Sequence, residues 1–234
     1  MKSEGTFRGW EYARVGDYHR ELDRSLWWAP AYLRRISYAR TILDGLPRKA
    51  KVLDAGCGEG VLVEEFCRKG LDIKGLDVNY ESPYVTRGNI LGMPYAGDRF
   101  DMVLLLDVFE HLSFSEQPKA LEEIQRVLKP KGKFLVSIPN QAHLNSRIRF
   151  LFLGRLDRTD IETNHVGERP IWENEKQLLN GGFRILKKEG CTLSLPLIYK
   201  NINAARHLWL HNFLNLISPI TLKVYIIYLC QTER

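Results

Sequence analysis

The sequence predicts an α/β fold in which a mostly parallel sheet carries helices on both faces. Short apolar runs alternate with amphipathic segments of about ten residues, which is typical of crossover units that join parallel strands. The run at residues 100–106 (FDMVLLL) is apolar almost throughout, as expected of a strand covered on both faces. A glycine-rich turn at residues 54–60 (DAGCGEG) directly follows the first apolar run.

The predicted elements follow one another in a regular order. Residues 10–46 have apolar positions at helical spacing and predict two or three helices, broken near Pro30. Helices are expected at residues 61–68, 118–128 and 172–179, and they end at Gly70, before Pro130 and at Gly181. Strands are expected at residues 51–55, 71–77, 84–89, 100–106, 132–138, 183–188 and 223–231.

Composition excludes several classes of protein. The chain has 234 residues, which suits one domain with a cap, and its 44% hydrophobic content excludes bulk disorder. Four cysteines form no CxxC pair, so no disulfide framework or structural zinc site is expected, and a cytoplasmic location is predicted. The net charge is +6, but the basic residues are interspersed with acidic ones along the chain. This distribution favours a mixed, solvated surface over a nucleic-acid-binding surface.

No membrane-spanning or signal segment is expected. Residues 1–9 are polar and lack the apolar core of a signal peptide. The most apolar stretch, residues 208–230, is interrupted by polar residues and by Pro219, so it does not qualify as a transmembrane span.

The glycine turn predicts an adenosine-containing cofactor. Gly56, Gly58 and Gly60 let the backbone turn sharply and approach a ligand, and the helix that follows offers free N–H groups. The second strand ends in Asp77, whose carboxylate can accept both hydroxyls of a ribose. The alternative is that the turn only allows close packing between a helix and a strand.

The glycine spacing distinguishes two classes of cofactor. Dinucleotide enzymes prefer G-x-G-x-x-G, in which the third glycine allows helix packing beside a pyrophosphate. This chain has G-x-G-x-G, with Asp54 two residues before Gly56. The arrangement resembles motif I of the class I S-adenosylmethionine-dependent methyltransferases. Their cofactor carries a sulfonium cation instead of phosphates, and a nearby acid suits a cation better than an anion.

Further motifs extend the resemblance over residues 51–188, in the pattern of the type 11 methyltransferase domain. In order they are Gly88-Asn89-Ile90, Met93-Pro94-Tyr95, residues 100–103 (FDMV), residues 108–112 (VFEHL), residues 128–133 (LKPKGK) and Gly182-Phe183. The layout is similar to methyltransferases of glycan and antibiotic clusters and to the ubiquinone O-methyltransferase branch. The resemblance implies a Rossmann-like, seven-stranded sheet with an antiparallel last strand and a helical cap and lid.

The resemblance also implies which residues surround S-adenosylmethionine. The glycines would lie against the methionine portion, Asp54 would hold its amino group, and Asp77 would bind the ribose. Asn89 would meet the adenine amine, although the family often has Asp at this position. The full predicted cofactor site is Asp54, Gly56, Cys57, Gly58, Asp77, Val78, Asn89, Ile90 and Asp107. Asp54 could instead only brace the turn, and Asp107 could instead cap the next helix.

Motifs that the chain lacks reduce the number of possible methyl acceptors. The fourth strand is followed by residues 107–110 (DVFE) and not by the Asn/Asp-Pro-Pro-aromatic motif with which related enzymes grip a planar amine. A small-molecule hydroxyl of a sugar, a quinone or a lipid-linked metabolite is therefore the leading prediction, with S-adenosylhomocysteine as the product. The alternatives are an RNA methyltransferase, a nicotinamide-dependent oxidoreductase and a noncatalytic scaffold.

A hydroxyl acceptor must lose its proton, so a base is expected nearby. His165 is the first candidate and His143 the second, because both lie in the segment that follows the fifth strand. His111 is expected to support the cofactor pocket. His207 and His211 have a metal-binding spacing but no third ligand in sequence, so no metal is predicted.

A single domain over residues 1–234 is predicted, in three parts. Residues 1–49 form a helical cap that includes His19, residues 50–140 form the cofactor-binding half, and residues 141–234 form the substrate-side half. Within the last part, residues 191–222 are predicted to form a helical lid. Their apolar composition fits a substrate pocket or a peripheral membrane contact. The expected partner is a small molecule and not a nucleic acid, and the oligomeric state stays open.

Overall fold

The computed structural model of the protein describes residues 29–156, 165–193 and 208–234. The helices are α1 (Ala29–Asp44), α2 (Val61–Arg68), α3 (Glu116–Val127), α4 (Leu144–Leu153), α5 (Ile171–Asn180) and α6 (Leu208–Ile217). The strands are β1 (Lys51–Ala55), β2 (Asp72–Asp77), β3 (Val85–Arg87), β4 (Phe100–Leu106), β5 (Leu128–Pro139), β6 (Phe183–Leu193) and β7 (Lys223–Thr232). Short 3-10 helices span Phe109–His111 and Ile220–Leu222.

The seven strands form one sheet in the order β3-β2-β1-β4-β5-β7-β6. All neighbouring pairs are parallel except that β7 runs antiparallel to both β5 and β6. The predicted Rossmann-like sheet with an antiparallel last strand is therefore confirmed. The strand order reverses between β1 and β4, and ligands of open α/β sheets bind at such a switch point, outside the carboxyl ends of the strands.

Helices cover both faces of the sheet, as predicted. One buried cluster packs Leu43 of α1 and Phe66 of α2 against Val52 of β1. The other packs Ile124 of α3 and Leu178 of α5 against the opposite face. The apolar run at β4 fits this arrangement, because strand residues inside the sheet meet helices on both sides.

Several boundaries differ from the sequence prediction. Strand β5 begins at Leu128, four residues before the predicted start, because Leu128 pairs with Phe100 ahead of a register shift. Strand β6 continues to Leu193 and not to Lys188. It is the edge strand of the sheet, so it tolerates the polar residues that suggested an end. Pro30 lies in the first turn of α1 as described, where proline is accommodated.

The predicted cap and lid are only partly described. Residues 1–28, which carry His19, lie outside the described residues, as do residues 194–207 with His207. Cys191 belongs to β6, so the predicted start of the lid at residue 191 is wrong. Among the described parts, α6 and the short helix Ile220–Leu222 occupy the remainder of the predicted lid. No helix in the described ranges combines the length and hydropathy needed to cross a membrane.

Candidate active site at the carboxyl edge of the sheet

The glycine turn, residues 54–60, connects β1 to α2 at the switch point. Gly56, Gly58 and Gly60 all have positive φ angles, of 76°, 57° and 77°, which side chains rarely adopt. A Cβ on Gly56 would lie 2.2 Å from Cγ2 of Val108, so the turn abuts the segment that follows β4. The backbone conformation and the close approach both require glycine here.

Asp77, at the end of β2, faces the glycine turn. Its Oδ2 accepts a hydrogen bond from the Gly58 N–H at 2.9 Å, and its Oδ1 accepts one from the Asn79 N–H at 2.8 Å. A carboxylate has about four acceptor positions, so one carboxylate can accept hydrogen bonds from several donors at once. The structure thus places the Asp77 carboxylate directly against the glycine turn.

The glycine turn lies in a negative electrostatic environment. Burial raises the pKa of the Cys57 thiol, and the charges of Asp54 and Asp77 raise this pKa further. Asp54 itself is 5% exposed. The charges of these two carboxylates, unlike burial, favour a cationic ligand over an anionic one.

The remaining residues predicted for the adenosine end lie close to Asp77. The N–H of Gly88 donates to the Asp77 carbonyl at 2.8 Å, which brings the segment after β3 beside the end of β2. Asn89 is exposed, and its Oδ1 accepts the N–H of Leu91 at 2.9 Å. Ile90 is 9% exposed and packs into the apolar core, and the Val78 carbonyl accepts from Arg87.

Asp107 follows β4 and is held by two partners. Its φ is 58°, an unusual value for a residue other than glycine. The Ser137 hydroxyl accepts from the Asp107 N–H at 2.9 Å and donates to its Oδ1 at 2.8 Å. The Arg35 guanidinium of α1 donates to Oδ2 and lies 4.1 Å from the centre of the Tyr225 ring. Arg35 was not predicted, and it lies 72 positions before Asp107 in the chain.

A second polar group, here called the Glu-His cluster, comprises Glu110, His111, His165 and Glu168. One ligating atom each from Glu110, His111 and His165 lies within 4.8 Å of the others. The two imidazole rings meet edge to face, with centroids 4.9 Å apart. The Nδ1 of His165 contacts Oε1 of Glu168, a carboxylate whose side chain is 3% exposed.

Glu110 is the most deeply buried acid of the cluster. Its side chain is 1% exposed, and its Oε2 has no hydrogen-bond partner among the described residues. Burial, reinforced by the nearby charge of Asp107, raises the pKa of the Glu110 carboxyl to about 7. Burial of a carboxylate oxygen without a partner destabilises the fold, so a cation or a hydrogen-bond donor is expected next to this atom.

Gln117 of α3 connects the two chain segments that form the Glu-His cluster. Its side chain is fully buried, and its Nε2 donates to the carbonyls of Phe109, Leu112 and Gly167 at 3.1, 3.3 and 2.8 Å. The Gly167 N–H in turn donates to the Glu110 carbonyl at 2.9 Å. Residues separated by 50 positions are therefore fastened together next to the glycine turn.

The two predicted bases have different environments. His165 belongs to the Glu-His cluster. His143 is the N-cap residue of α4, a helix that was not predicted, in the segment that follows the fifth strand, and it is 4% exposed. Its Nδ1 accepts a long hydrogen bond, 3.4 Å, from the Ser146 N–H. His211 is buried on α6.

Comparisons with known proteins agree with this geometry. Residues 25–176 match the family model described as a methyltransferase domain. The chain is 34% identical over 144 residues to an uncharacterized protein of Methanocaldococcus jannaschii, which covers 57% of this chain and 61% of that protein. It is 32% identical over 122 residues to the ubiquinone biosynthesis O-methyltransferase of Proteus mirabilis, covering 46% of this chain and 49% of that protein.

The solved structures are similar in fold. A SAM-dependent methyltransferase from Archaeoglobus fulgidus superimposes with a TM-score of 0.59 and 19% identity, over 86% of this chain and 94% of that chain. The chain spans 61% and 49% of the two curated relatives, so both contain regions outside the matched part.

Proposed function

The chain belongs to the methyltransferase-domain family, and we propose that it transfers the methyl group of S-adenosylmethionine to a hydroxyl oxygen of a small molecule. S-adenosylhomocysteine is the second product. The observation that carries the proposal is the glycine turn hydrogen-bonded to the Asp77 carboxylate at the switch point of the sheet. This arrangement offers a close backbone approach beside an acceptor for ribose hydroxyls.

The electrostatics of the turn favour S-adenosylmethionine over a dinucleotide. Asp54 and Asp77 disfavour an anion at Cys57, and a pyrophosphate would be an anion at the same place. A sulfonium cation and an amino group gain from these charges. We assign Asp54 to the amino group, and Asp107, oriented by Arg35 and Ser137, to the methionine end.

We assign the Glu-His cluster to the side of the site where the acceptor meets the methyl group. The close approach of Gly56 and Val108 brings the segment that carries Glu110 against the glycine turn. Methyl transfer is an in-line displacement, so the protein mainly supplies alignment, and a hydroxyl must also lose its proton. We assign the loss of this proton to the cluster that contains His165, and not to His143, which caps a helix.

The acceptor class is proposed from the surroundings and from one relative. The Proteus mirabilis relative is named for O-methylation in ubiquinone biosynthesis, which supports an oxygen acceptor. Large apolar side chains are exposed on α6 and fit an apolar acceptor or a membrane-linked one. They are Trp209, Phe213, Leu216 and Ile217. A quinone or a lipid-linked hydroxyl fits this description.

The cofactor assignment is tested by calorimetry on Asp77→Ala. Two hydrogen bonds to a charged acceptor would be lost, so the dissociation constant for S-adenosylhomocysteine is expected to rise about 100-fold. Asp72→Ala is the matched control, because Asp72 is an exposed acid at the other end of β2. Unchanged affinity in Asp77→Ala would contradict the ribose assignment.

A ligand that lacks one ribose hydroxyl distinguishes loss of ribose recognition from general damage to the glycine turn. The wild type is expected to bind 5′-methylthioadenosine more tightly than its 2′-deoxy analogue, and Asp77→Ala is expected to bind both about equally. A similar preference in the variant would show that another group contacts the hydroxyl.

The acceptor class is tested with labelled S-adenosylmethionine. We expect radiolabel in small-molecule or lipid extracts and none in total RNA. Label confined to RNA would contradict a small-molecule acceptor.

A further inference from the structure

The Glu-His cluster has the composition of a metal site. Glu110, His111 and His165 supply one carboxylate and two imidazoles, with ligating atoms within 4.8 Å of one another. Neighbouring ligands of a tetrahedral ion bound at 2.0–2.2 Å lie about 3.4 Å apart. A side-chain adjustment of less than about an ångström would therefore bring all three atoms onto one ion.

The buried oxygen of Glu110 is the second, independent observation. Oε2 is buried, has no partner among the described residues and belongs to a side chain that is 1% exposed. A carboxylate in this position is strongly destabilising unless a cation or donor compensates it. No described lysine or arginine forms an ion pair with it within 4.0 Å, whereas a bound cation would provide that compensation.

Glu168 completes the arrangement in the way that metal sites are commonly supported. Its carboxylate contacts Nδ1 of His165, and the tautomer with its proton on Nδ1 would donate to Glu168 and offer the lone pair of Nε2 to an ion. A histidine that binds a metal through one nitrogen usually donates its other N–H to a carboxylate, which fixes the ring and raises its basicity. Gln117 holds the two segments in place through Gly167.

We propose that Glu110, His111 and His165 bind one divalent first-row transition-metal ion. Imidazole and carboxylate ligands suit zinc, iron and their neighbours, and three protein ligands leave coordination positions open. The proposal rests on the proposed function, because it assigns the open position to the hydroxyl of the methyl acceptor.

The chemistry of this step balances without another reactant. The ion lowers the pKa of the bound hydroxyl, whose O–H bond breaks and whose proton passes to solvent water. A lone pair on that oxygen then forms the new O–C bond to the methyl group. The C–S bond breaks, and its electron pair neutralises the sulfonium to the thioether of S-adenosylhomocysteine. His165 is thus a metal ligand and not itself the base.

The test measures metal binding directly on the full chain. The protein is stripped with EDTA and titrated with Co²⁺ by calorimetry and visible absorption, and with Zn²⁺ by elemental analysis. We expect one ion per chain. We also expect Glu110→Gln and His165→Gln each to lose at least about 100-fold in affinity, or about 2.7 kcal/mol.

Two further variants keep the test decisive. Glu168→Gln, which does not alter a ligand, is expected to weaken binding by 10–100-fold. His211→Gln is the matched control, since its imidazole lies on α6, and it should leave binding unchanged. Circular dichroism and melting curves without metal establish whether each variant is folded. Loss of the ion in His211→Gln with retention in His165→Gln would overturn the proposal.

The outcomes also separate this inference from the proposed function. Failure of both Co²⁺ and Zn²⁺ to bind, with normal binding of S-adenosylhomocysteine, would overturn the metal site and leave the cofactor assignment intact. A bound ion without cofactor binding would support the metal site and contradict the proposed function. If neither ion binds, yet His165→Gln abolishes methyl transfer at normal cofactor affinity, His165 acts as the base and the metal proposal fails.

Discussion

The glycine turn and the Glu-His cluster lie side by side at the carboxyl edge of the sheet and are built in different ways. The turn is one continuous stretch of chain, and its shape comes from three glycines with positive φ. The cluster joins the segment after β4 to residues 165–168, and the buried amide of Gln117 holds them together. The first region depends on backbone conformation and the second on packing between distant segments.

This difference indicates which substitutions should disrupt each region. The turn tolerates no side chain at Gly56, because the backbone and Val108 leave no room. The cluster depends on a residue, Gln117, that belongs to neither of the ligand-bearing segments. Mutations should therefore separate cofactor binding from acceptor chemistry.

The largest effect is expected for Gly56→Ala. Its new Cβ would meet Val108 at 2.2 Å in a left-handed conformation, so the free energy of unfolding should fall by about 3 kcal/mol. Chemical denaturation measures it. Gly70→Ala is the matched control, because Gly70 has a φ of 86° but open space around it, and it should lose only about 1 kcal/mol. Equal losses would show that packing against Val108 is unimportant.

The next largest effect is expected for Gln117→Ala, which removes three contacts to backbone carbonyls and the hydrogen bond that Gln117 accepts from Arg169. We expect a loss of about 2 kcal/mol in the free energy of unfolding, and lower Co²⁺ affinity and methyl transfer. Affinity for S-adenosylhomocysteine should change less than about twofold.

Gln125→Ala is the control for that variant. Gln125 lies about two turns further along the same helix and donates to the Gly181 carbonyl at 2.6 Å, outside the segments that carry the cluster. It should destabilise the fold without altering metal binding. A large loss of cofactor affinity in Gln117→Ala would break the comparison, since the two regions would then be coupled.

The smallest effect is expected for Arg35→Lys, at the contact between α1 and Asp107. Lysine keeps the charge but loses the planar fork and the stacking on Tyr225, so about 1 kcal/mol of stability should be lost. Arg34→Lys is the matched control, because Arg34 forms a partly exposed ion pair with Glu189. This substitution should change the free energy of unfolding by less than about 0.5 kcal/mol. Denaturation of both variants in parallel measures the difference. Equal losses would remove any special role for Arg35 in fixing Asp107.

Much of the fold could be predicted because its signals are local. Helix α2 and strand β4 have the predicted bounds, since an amphipathic period and a continuous apolar run are each complete within one segment. Helix α4 was missed because Phe150, Leu151, Phe152 and Leu153 are exposed, so no apolar stripe marks a buried face. The end of β6 was missed because an edge strand does not need an apolar sequence.

The candidate site likewise has a part that the sequence predicts and a part that it does not. The sequence determined the sheet, the glycine turn and the acid at the end of the second strand, because each is marked by a pattern within a short, contiguous stretch. Only the tertiary structure decided that Arg35 reaches Asp107 and that Glu110 and His111 meet His165. No periodicity or spacing encodes these contacts. They follow from how Gln117 and the packed helices bring distant segments to one edge of the sheet.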